Sequence, residues 1–446
     1  MTRLNIDAKI WAIAWPAIIS NISIPLLGLA DAALLGHLSD PRHLAAVAVG
    51  AAILSFLYWG FSFLRMGTTG EVARAVGDGD DERAFIAMGR AAILAIAIAM
   101  VLLVLQRPLV AVGLAIMAPD AQLAGLAANY AQLRLLSAPA VMLTYVIVGW
   151  FIGQQNTRWP MVVLIATNLI NIALDGLFIL GLDMASRGAA LATVCAEYTG
   201  LALAIFGIAR AGQPRPSPAI RRAILDLRRL RAVLASNSEL FLRTLTLLFA
   251  FAFFTAAGER LGTDIVAANA IMMQFLLFSA FALDGFAYAA EGLAGEALGA
   301  GRPDRFHEVS RRCALWSLAT AALISMMILL GRPWLFPGLT SLPDVLAVMR
   351  AQGIWLVLMP LVAAPSYLLD GLFIGAGATR AMMLTMLLSA GAVYFPVWYL
   401  SRAWGNDGLW LAFTLFNAAR GISLGACYFM ITRQDRWLRW SRGPVA

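Results

Sequence analysis

Apolar residues run along this chain in long stretches, separated by short polar segments. Most stretches exceed about 18 residues, the length that spans a bilayer as a helix. Because the apolar positions do not alternate every second residue, the pattern argues against a transmembrane β-barrel. It predicts twelve membrane helices, at 10–36, 43–66, 84–106, 121–152, 159–181, 187–209, 232–257, 265–290, 308–331, 345–374, 381–401 and 408–431.

The composition agrees with this pattern. The 446 residues are 61% hydrophobic and 13% charged, whereas soluble domains average about 45–50% apolar and about 25% charged residues. We therefore predict an all-α integral membrane protein that is surrounded by membrane lipids. The formal net charge of +8 lies in short loops without interleaved aromatic residues, so we expect no nucleic-acid partner.

The loops carry basic residues unequally. Of the 33 basic residues, 23 fall on the side of the termini, seven on the opposite side and three near the middle of helices. Basic residues concentrate on the cytoplasmic side of membrane proteins. We therefore expect a multi-pass protein of the inner (cytoplasmic) membrane with both termini in the cytoplasm.

The two halves of the sequence align after a shift of 222 residues, so that GWFIGQQNTR (149–158) falls on GLFIGAGATR (371–380). A duplicated six-helix unit predicts two parallel, pseudo-symmetric bundles with a central cavity between the lobes, as in one class of transporter. We predict an N-lobe at 1–210, a cytoplasmic linker at 211–231 and a C-lobe at 232–446. The linker pattern fits either a short amphipathic helix or a solvated connector.

Three polar residues break this symmetry. The shift places Asp31 opposite Phe253, Asn171 opposite Val393 and Asp175 opposite Val397. An ionisable residue inside a membrane helix costs roughly 2.5–3.5 kcal/mol on insertion and is a functional hypothesis by default. Since the second repeat lacks these groups, they favour a function over a role in the shared scaffold.

Counting from the predicted helix ends places several of these groups in one layer, roughly 9–14 Å below the outer surface. The layer contains Asp31, Tyr130, Asp175 and Thr193, with Asn171 one turn deeper. Two adjacent carboxylates in a low dielectric do not both ionise readily, so we expect the pair to hold a proton. The same oxygen atoms could instead hold Na⁺. The alternative is a hydrogen-bond network that only joins the helices.

Pro16 lies in the inner half of the first helix, where a proline makes a kink. We treat it as a candidate hinge, with a static kink as the equal alternative. The three cysteines and three histidines lack metal-ligand spacing, and the sequence contains neither GxxxxGK[ST] nor HExxH. We therefore expect no metal site other than the Na⁺ alternative, no cofactor beyond the coupling ion, and no enzyme activity.

The second half carries its own polar residues, Glu239, Arg243, Asp284 and Asp370. Glu239 precedes Arg243 by four residues, which predicts an ion pair on one helix face. Asp284 and Asp370 each precede a glycine, so we expect them to cap or brace the inner ends of helices. A structural or gating role is favoured, and a direct role as a second substrate or ion site is the alternative.

The sequence resembles those of the multidrug and toxic compound extrusion (MATE) family, specifically its DinF-like branch. The resemblance rests on LADAALLGHL (29–38), ALDGFAYAAEGLAGEALG (282–299) and LLDGLFIGAGATR (368–380). It implies a cation-coupled exporter that uses the N-lobe residues Asp31, Tyr130, Asn171, Asp175 and Thr193, with Pro16 at the bend of the first helix. The branch that resembles NorM uses acidic residues of the C-lobe, and Asp370 could match one of them.

The sequence therefore predicts a monomeric antiporter that exports organic cations or other amphipathic compounds by alternating access, driven by H⁺ or alternatively by Na⁺. A flippase for lipid-linked substrates is the second hypothesis. It would need a strongly cationic cavity, whereas only Arg134, Arg243 and Arg420 lie near the middle of predicted helices. An intramembrane enzyme and a passive channel are less favoured.

Overall fold

The computed structural model describes residues 6–36, 40–212 and 217–438. All regular structure within these ranges is helical. The α-helices are α1 Ile6–Gly36, α2 Arg42–Gly60, α3 Phe63–Gly77, α4 Asp81–Val104, α5 Gln106–Met117, α6 Ala121–Leu135, α7 Ala138–Gly153, α8 Arg158–Asp175, α9 Ala185–Arg210, α10 Pro218–Ile224, α11 Leu227–Glu259, α12 Thr263–Gly299, α13 Pro303–Leu339, α14 Pro343–Ala376, α15 Thr379–Leu388, α16 Phe395–Ser401 and α17 Asn406–Arg433.

The helices agree with an all-α membrane protein. Within the described ranges, nine helical spans are long and apolar enough to cross a membrane, and a tenth is formed if the bent pair α6–α7 counts as one span. Helices α1 and α17 contain 31 and 28 residues and occupy the other two predicted positions. At 1.5 Å per residue both are long enough to span a bilayer.

Several helices depart from the regular spans predicted from the sequence. The predicted fourth membrane helix bends by 50° between α6 and α7. Pro139 occupies the first turn of α7, a position that tolerates proline because its backbone N–H would have no partner within the helix. A short apolar helix, α5, occupies a predicted loop. Two π-helical segments, Gly176–Gly181 and Ser389–Tyr394, interrupt the fifth and eleventh predicted spans.

The described part of the linker favours the helical alternative over a solvated connector. The Ser217 hydroxyl accepts a hydrogen bond from the Ile220 N–H (3.2 Å) and so caps α10. The side chain of Ile220 is buried, and the Arg90 guanidinium donates to the Ala223 carbonyl (2.7 Å). Residues 213–216 of the predicted linker lie outside the described residues.

The chain forms two compact units. The C-terminal unit contains Met1–Ile18, Ala73–Gly79 and Ala235–Ala446, and the N-terminal unit contains Ile19–Val72 and Asp80–Leu234. Helix α1 is therefore divided two residues after Pro16, and α3 is divided before Ala73. The lobe boundaries deduced from the repeat stay a prediction.

Two repeat-related glycines cross at close range within the C-terminal unit. A Cβ atom on Gly77 would overlap the Glu296 carbonyl, and one on Gly299 would overlap the Arg74 carbonyl. The 222-residue shift relates Gly77 to Gly299 and Arg74 to Glu296, so the contact repeats the sequence symmetry. Close packing of the helix backbones therefore explains why glycine occurs at both repeat-related positions.

We predict that Gly299→Ala destabilises the protein, because the added methyl group forces backbone apart at the crossing. Overpacking of this kind costs about 1–3 kcal/mol. Thermal unfolding of the purified protein measures the effect as a lower Tm. Gly125→Ala is the control, since nothing lies within 4 Å of its Cβ position and alanine favours helix. An equal Tm for both variants would contradict the predicted backbone contact.

Candidate functional site

Helix α8 presents three polar side chains toward the interior of the N-terminal unit. Asn168, Asn171 and Asp175 are all buried, the last two completely. Their spacing of three and four residues places them on one face of the helix. The π-helical segment begins directly after Asp175, and such segments are frequent at functional sites.

The two asparagines connect α8 to its neighbours. The Asn168 amide donates to the Ser23 hydroxyl of α1 (3.0 Å), and the Asn171 amide donates to the Thr193 hydroxyl of α9 (3.2 Å). Thr193 in turn donates to the Ala189 carbonyl (2.9 Å). These bonds fix α8 between α1 and α9 and hold the Asn171 side chain in one orientation.

Asp31 of α1 and Asp175 of α8 face each other. Their carboxyl groups lie within hydrogen-bonding reach of one another. Within the described ranges, no other protein group hydrogen-bonds to Asp31 Oδ1 or to either carboxyl oxygen of Asp175, and all three atoms are buried. The structure thus brings together two carboxyl groups without the N–H donors that usually stabilise buried charge.

Tyr130 and Arg134 of α6 adjoin this carboxyl pair. The buried Tyr130 ring packs against Gly50 of α2, and Arg134 lies within electrostatic range of both aspartates. The Arg134 guanidinium forms an ion pair with Glu197 of α9 (3.0 Å). An almost buried Arg–Glu pair therefore lies beside the two carboxyl groups.

Sequence reasoning did not assign Arg134 or Glu197 to the site. Each lies four residues after a predicted site residue, Arg134 after Tyr130 and Glu197 after Thr193. Residues four apart share a helix face. The same spacing that grouped Asn171 with Asp175 would therefore have found both of them.

The oxygen atoms of this site suit a small cation as ligands. Asn171 Oδ1 is buried and has no hydrogen-bond partner among the described residues. The carboxyl oxygens of Asp31 and Asp175 and the Thr193 hydroxyl add further oxygen atoms. Hard cations prefer such oxygen ligands. The described residues contain no cluster of three or more His, Cys, Asp or Glu side chains arranged for a metal ion.

The repeat-related position in the C-terminal unit has a different character. Phe253, the counterpart of Asp31, packs edge-on against Tyr394, Phe395 and Trp398, with ring centroids 5.2–6.4 Å apart. An aromatic cluster fills this position. Substituting a carboxylate there would place it among rings without a polar partner.

The predicted ion pair between Glu239 and Arg243 is wrong. Arg243 of α11 pairs instead with Asp370 of α14, and Glu239 accepts a hydrogen bond from Thr379 (2.5 Å). Packing of three helices places Asp370 between two arginines, because Arg420 of α17 also donates to its Oδ2 atom (2.9 Å). This buried contact replaces the local pair expected along one helix.

Neither Asp284 nor Asp370 caps a helix end, although Asp370 braces three helices through its two arginines. Asp284 lies inside α12, which continues to Gly299, and Asp370 lies inside α14, which continues to Ala376. Two guanidinium groups face the one Asp370 carboxylate, so these three groups together carry one positive charge. That charge repels a cation, which argues against a second cation site at Asp370.

Buried carboxyl groups inside a bundle of membrane helices are typical of transporters that move ions, so fold and site together define a polytopic membrane transporter. The chain belongs to the MatE family, whose model matches residues 16–177 and 240–400. The two matched segments agree with the duplication seen in the sequence.

Several known proteins are similar to this chain. The DNA damage-inducible protein F of Escherichia coli K12 is 38% identical over 432 residues, which cover 97% of this chain and 94% of the relative. The probable multidrug resistance protein NorM of Thermotoga maritima is 25% identical over 91% of this chain and 88% of its own length. The crystal structure of the Vibrio cholerae MATE transporter VcmN in the bent form has a TM-score of 0.84 at 22% identity, covering 97% and 98% of the two chains. At this identity the structural likeness shows the fold.

We predict that Glu197→Gln lowers the stability of the protein, because it leaves the Arg134 guanidinium without its carboxylate. Breaking a buried pair in this way costs roughly 3–5 kcal/mol, and we expect the lower end because both side chains keep some exposure. Thermal unfolding measures the effect. Asp40→Asn is the control, since it breaks the exposed Asp40–Arg42 pair and should leave Tm unchanged. A Tm unaffected by Glu197→Gln would refute this account of the pair.

Proposed function

We propose that this protein is an antiporter that exports amphipathic organic cations and related compounds, coupled to the entry of protons. The observation that carries the proposal is the facing pair of carboxyl groups, Asp31 and Asp175, three of whose four oxygens are buried without another donor among the described residues. Family membership and the names of the relatives, which include multidrug resistance and multidrug export proteins, support export of small molecules.

The carboxyl pair suits an exchange of one cation for another. With one proton shared between Asp31 and Asp175, the pair carries a single negative charge and is stable in a low dielectric. Loss of this proton leaves two adjoining charges, which favour entry of a new cation. A proton and a cationic substrate therefore compete for the same negative charge. This competition couples proton entry to substrate export. Na⁺ remains the alternative coupling ion, with Asn171 Oδ1 and the Thr193 hydroxyl as added ligands.

Pro16 serves as the hinge in this proposal. Proline at this position removes the backbone donor for the Ala12 carbonyl, which weakens α1 locally. The division of α1 between the two compact units falls between Ile18 and Ile19. The stretch before it packs with the C-terminal unit, and the stretch after it carries Asp31. A change in the partners of Asp31 would then bend or straighten α1 near Pro16.

We further propose that the protein lies in the inner membrane with both termini in the cytoplasm, and that it acts as a monomer among membrane lipids. The unequal distribution of basic residues supports the orientation. A flippase for lipid-linked substrates is less well supported, because Arg134 is paired with Glu197 and the two arginines around Asp370 fall short of the strongly cationic cavity that such a substrate would need.

We predict that Asp31→Asn abolishes coupled efflux while the protein still folds, because the amide cannot exchange a proton. The measurement is dye efflux from proteoliposomes under an imposed pH gradient or an imposed Na⁺ gradient, applied separately. A wild-type response to the pH gradient alone supports proton coupling. A response to the Na⁺ gradient alone would replace H⁺ by Na⁺ as the coupling ion.

The matched control is Phe253→Asp, which places a carboxylate at the repeat-related position. Combined with Asp31→Asn it should not restore efflux, because its neighbours are aromatic rings. Restored efflux in the double variant, or full efflux by Asp31→Asn alone, would refute the assignment of coupling to the N-terminal unit.

We predict that Pro16→Ala slows efflux with little loss of stability, because alanine restores the helical hydrogen bond and stiffens α1. Efflux rates in proteoliposomes and Tm values test the two parts. Pro333→Ala is the control, since Pro333 is an exposed proline inside α13 and should leave the efflux rate unchanged. Equal rates for wild type and Pro16→Ala would contradict the hinge.

A further inference from the structure

We propose that Arg243 and Arg420 of the C-terminal unit form a binding site for an anionic group, a carboxylate or a phosphate, carried by an amphipathic molecule. This inference deepens the proposed function, on which its transport role rests, by extending the substrates from cations to zwitterionic and anionic amphiphiles. Binding itself is measured without transport, so the two ideas can fail separately.

The site is built from the interior of three helices. Arg243 lies at the middle of α11, Arg420 at the middle of α17, and Asp370 in α14. Arg243 and Arg420 are 6% and 2% exposed. Burial of a guanidinium group in the middle of a membrane helix is costly and is a functional hypothesis by default.

The hydrogen bonds of the arginines leave much of their donor capacity unused. Among the described residues, Arg243 donates only through Nη2, to Asp370. Arg420 donates through Nη2 to Asp370 Oδ2 (2.9 Å) and through Nη1 to Asn417 Oδ1 (3.0 Å). The Nε–H groups of both arginines are buried and have no acceptor among the described residues.

These unused donors match a second anionic group. A guanidinium group presents its donors in a planar fork that fits a carboxylate or a phosphate through two bonds. Both arginines, however, meet the same oxygen, Oδ2 of Asp370. A second oxygen acid would use the remaining donors and neutralise the excess charge.

The surrounding side chains hold the arginines in place. The Arg420 guanidinium lies over the rings of Tyr367 and Phe416, 5.9 and 5.7 Å from their centroids. Asp284 is within electrostatic range of Tyr367, but neither arginine donates a hydrogen bond to it. The guanidinium group of Arg420 is therefore oriented before any ligand binds, which reduces the entropy lost on binding.

A purely structural ion pair would not need this arrangement. One arginine suffices to neutralise Asp370, and each further buried charge adds a desolvation penalty. Asp370 acts instead as an internal competitor, because its carboxylate occupies the position that an external anion would share. Its removal should therefore strengthen the binding of an anion, whereas removal of either arginine should weaken it.

The test measures ligand binding to the full-length protein in nanodiscs of neutral phosphatidylcholine, by intrinsic tryptophan fluorescence. The probes are octanoate, octyltrimethylammonium and octanol, which share a chain and differ in charge. We expect wild-type protein to bind octanoate more tightly than octanol. We expect Arg243→Gln and Arg420→Gln each to weaken octanoate binding at least about 10-fold, the value of one charge-assisted hydrogen bond.

Asp370→Asn gives the decisive contrast, because it should tighten octanoate binding about 10-fold and leave octanol binding unchanged. Arg305→Gln is the matched control, since it removes an arginine paired with a single carboxylate, Glu296, in the same unit. It should not alter octanoate binding. Circular dichroism and size-exclusion chromatography verify that each variant is folded.

Equal binding of octanoate and octanol, or a loss of octanoate binding in Asp370→Asn, would overturn the proposal and leave the cluster a structural ion pair. Repeating the titration in phosphatidylglycerol discs identifies the source of the anion. Octanoate binding that weakens there in the wild type but not in Arg420→Gln shows that a lipid headgroup occupies the site, because repulsion from the anionic bilayer would weaken both equally. An equal change in both shows that the site prefers the free amphiphile.

Discussion

Burying a carboxylate in a medium of low dielectric constant is unfavourable unless a partner compensates its charge. Asp31 and Asp175 lie within hydrogen-bonding reach of each other, and no other hydrogen-bond partner reaches their buried oxygens within the described ranges. In the proposed mechanism a proton shared between them meets this constraint. The hydrogen bonds of Asn168 and Asn171 hold α8 against α1 and α9, so that the two carboxyl groups stay together. The polar layer of the N-terminal unit is organised around this pair.

The two units bury charged clusters of opposite sign. The N-terminal unit buries two carboxyl groups beside a neutral Arg134–Glu197 pair, whereas the C-terminal unit buries two arginines around the single carboxylate of Asp370. The symmetric part of the molecule lies elsewhere, in backbone contacts such as the crossing of Gly77 and Gly299. Packing positions could therefore stay duplicated while the polar positions diverged.

Irregular helix geometry accompanies the polar residues. The π-helical segment starts after Asp175, and the bend between α6 and α7 begins three residues after Arg134, whose guanidinium donates to the Ser137 hydroxyl (3.1 Å). In α1, the proline at position 16 precedes the point where the helix is divided between the units. Such interruptions free backbone groups, and helices bend at them.

The sequence by itself determined the all-helical membrane fold, the duplication and the face shared by Asn171 and Asp175. Hydropathy and helical spacing are local properties that can be read from the order of residues along the chain. It did not determine which charges meet across helices. Glu239 and Arg243 fit the local rule for an ion pair, yet Asp370 takes Arg243 because α11, α14 and α17 converge around it. Only tertiary packing decides such a choice, since the depth and rotation of each helix set the distance between buried charges, and that distance sets their energy.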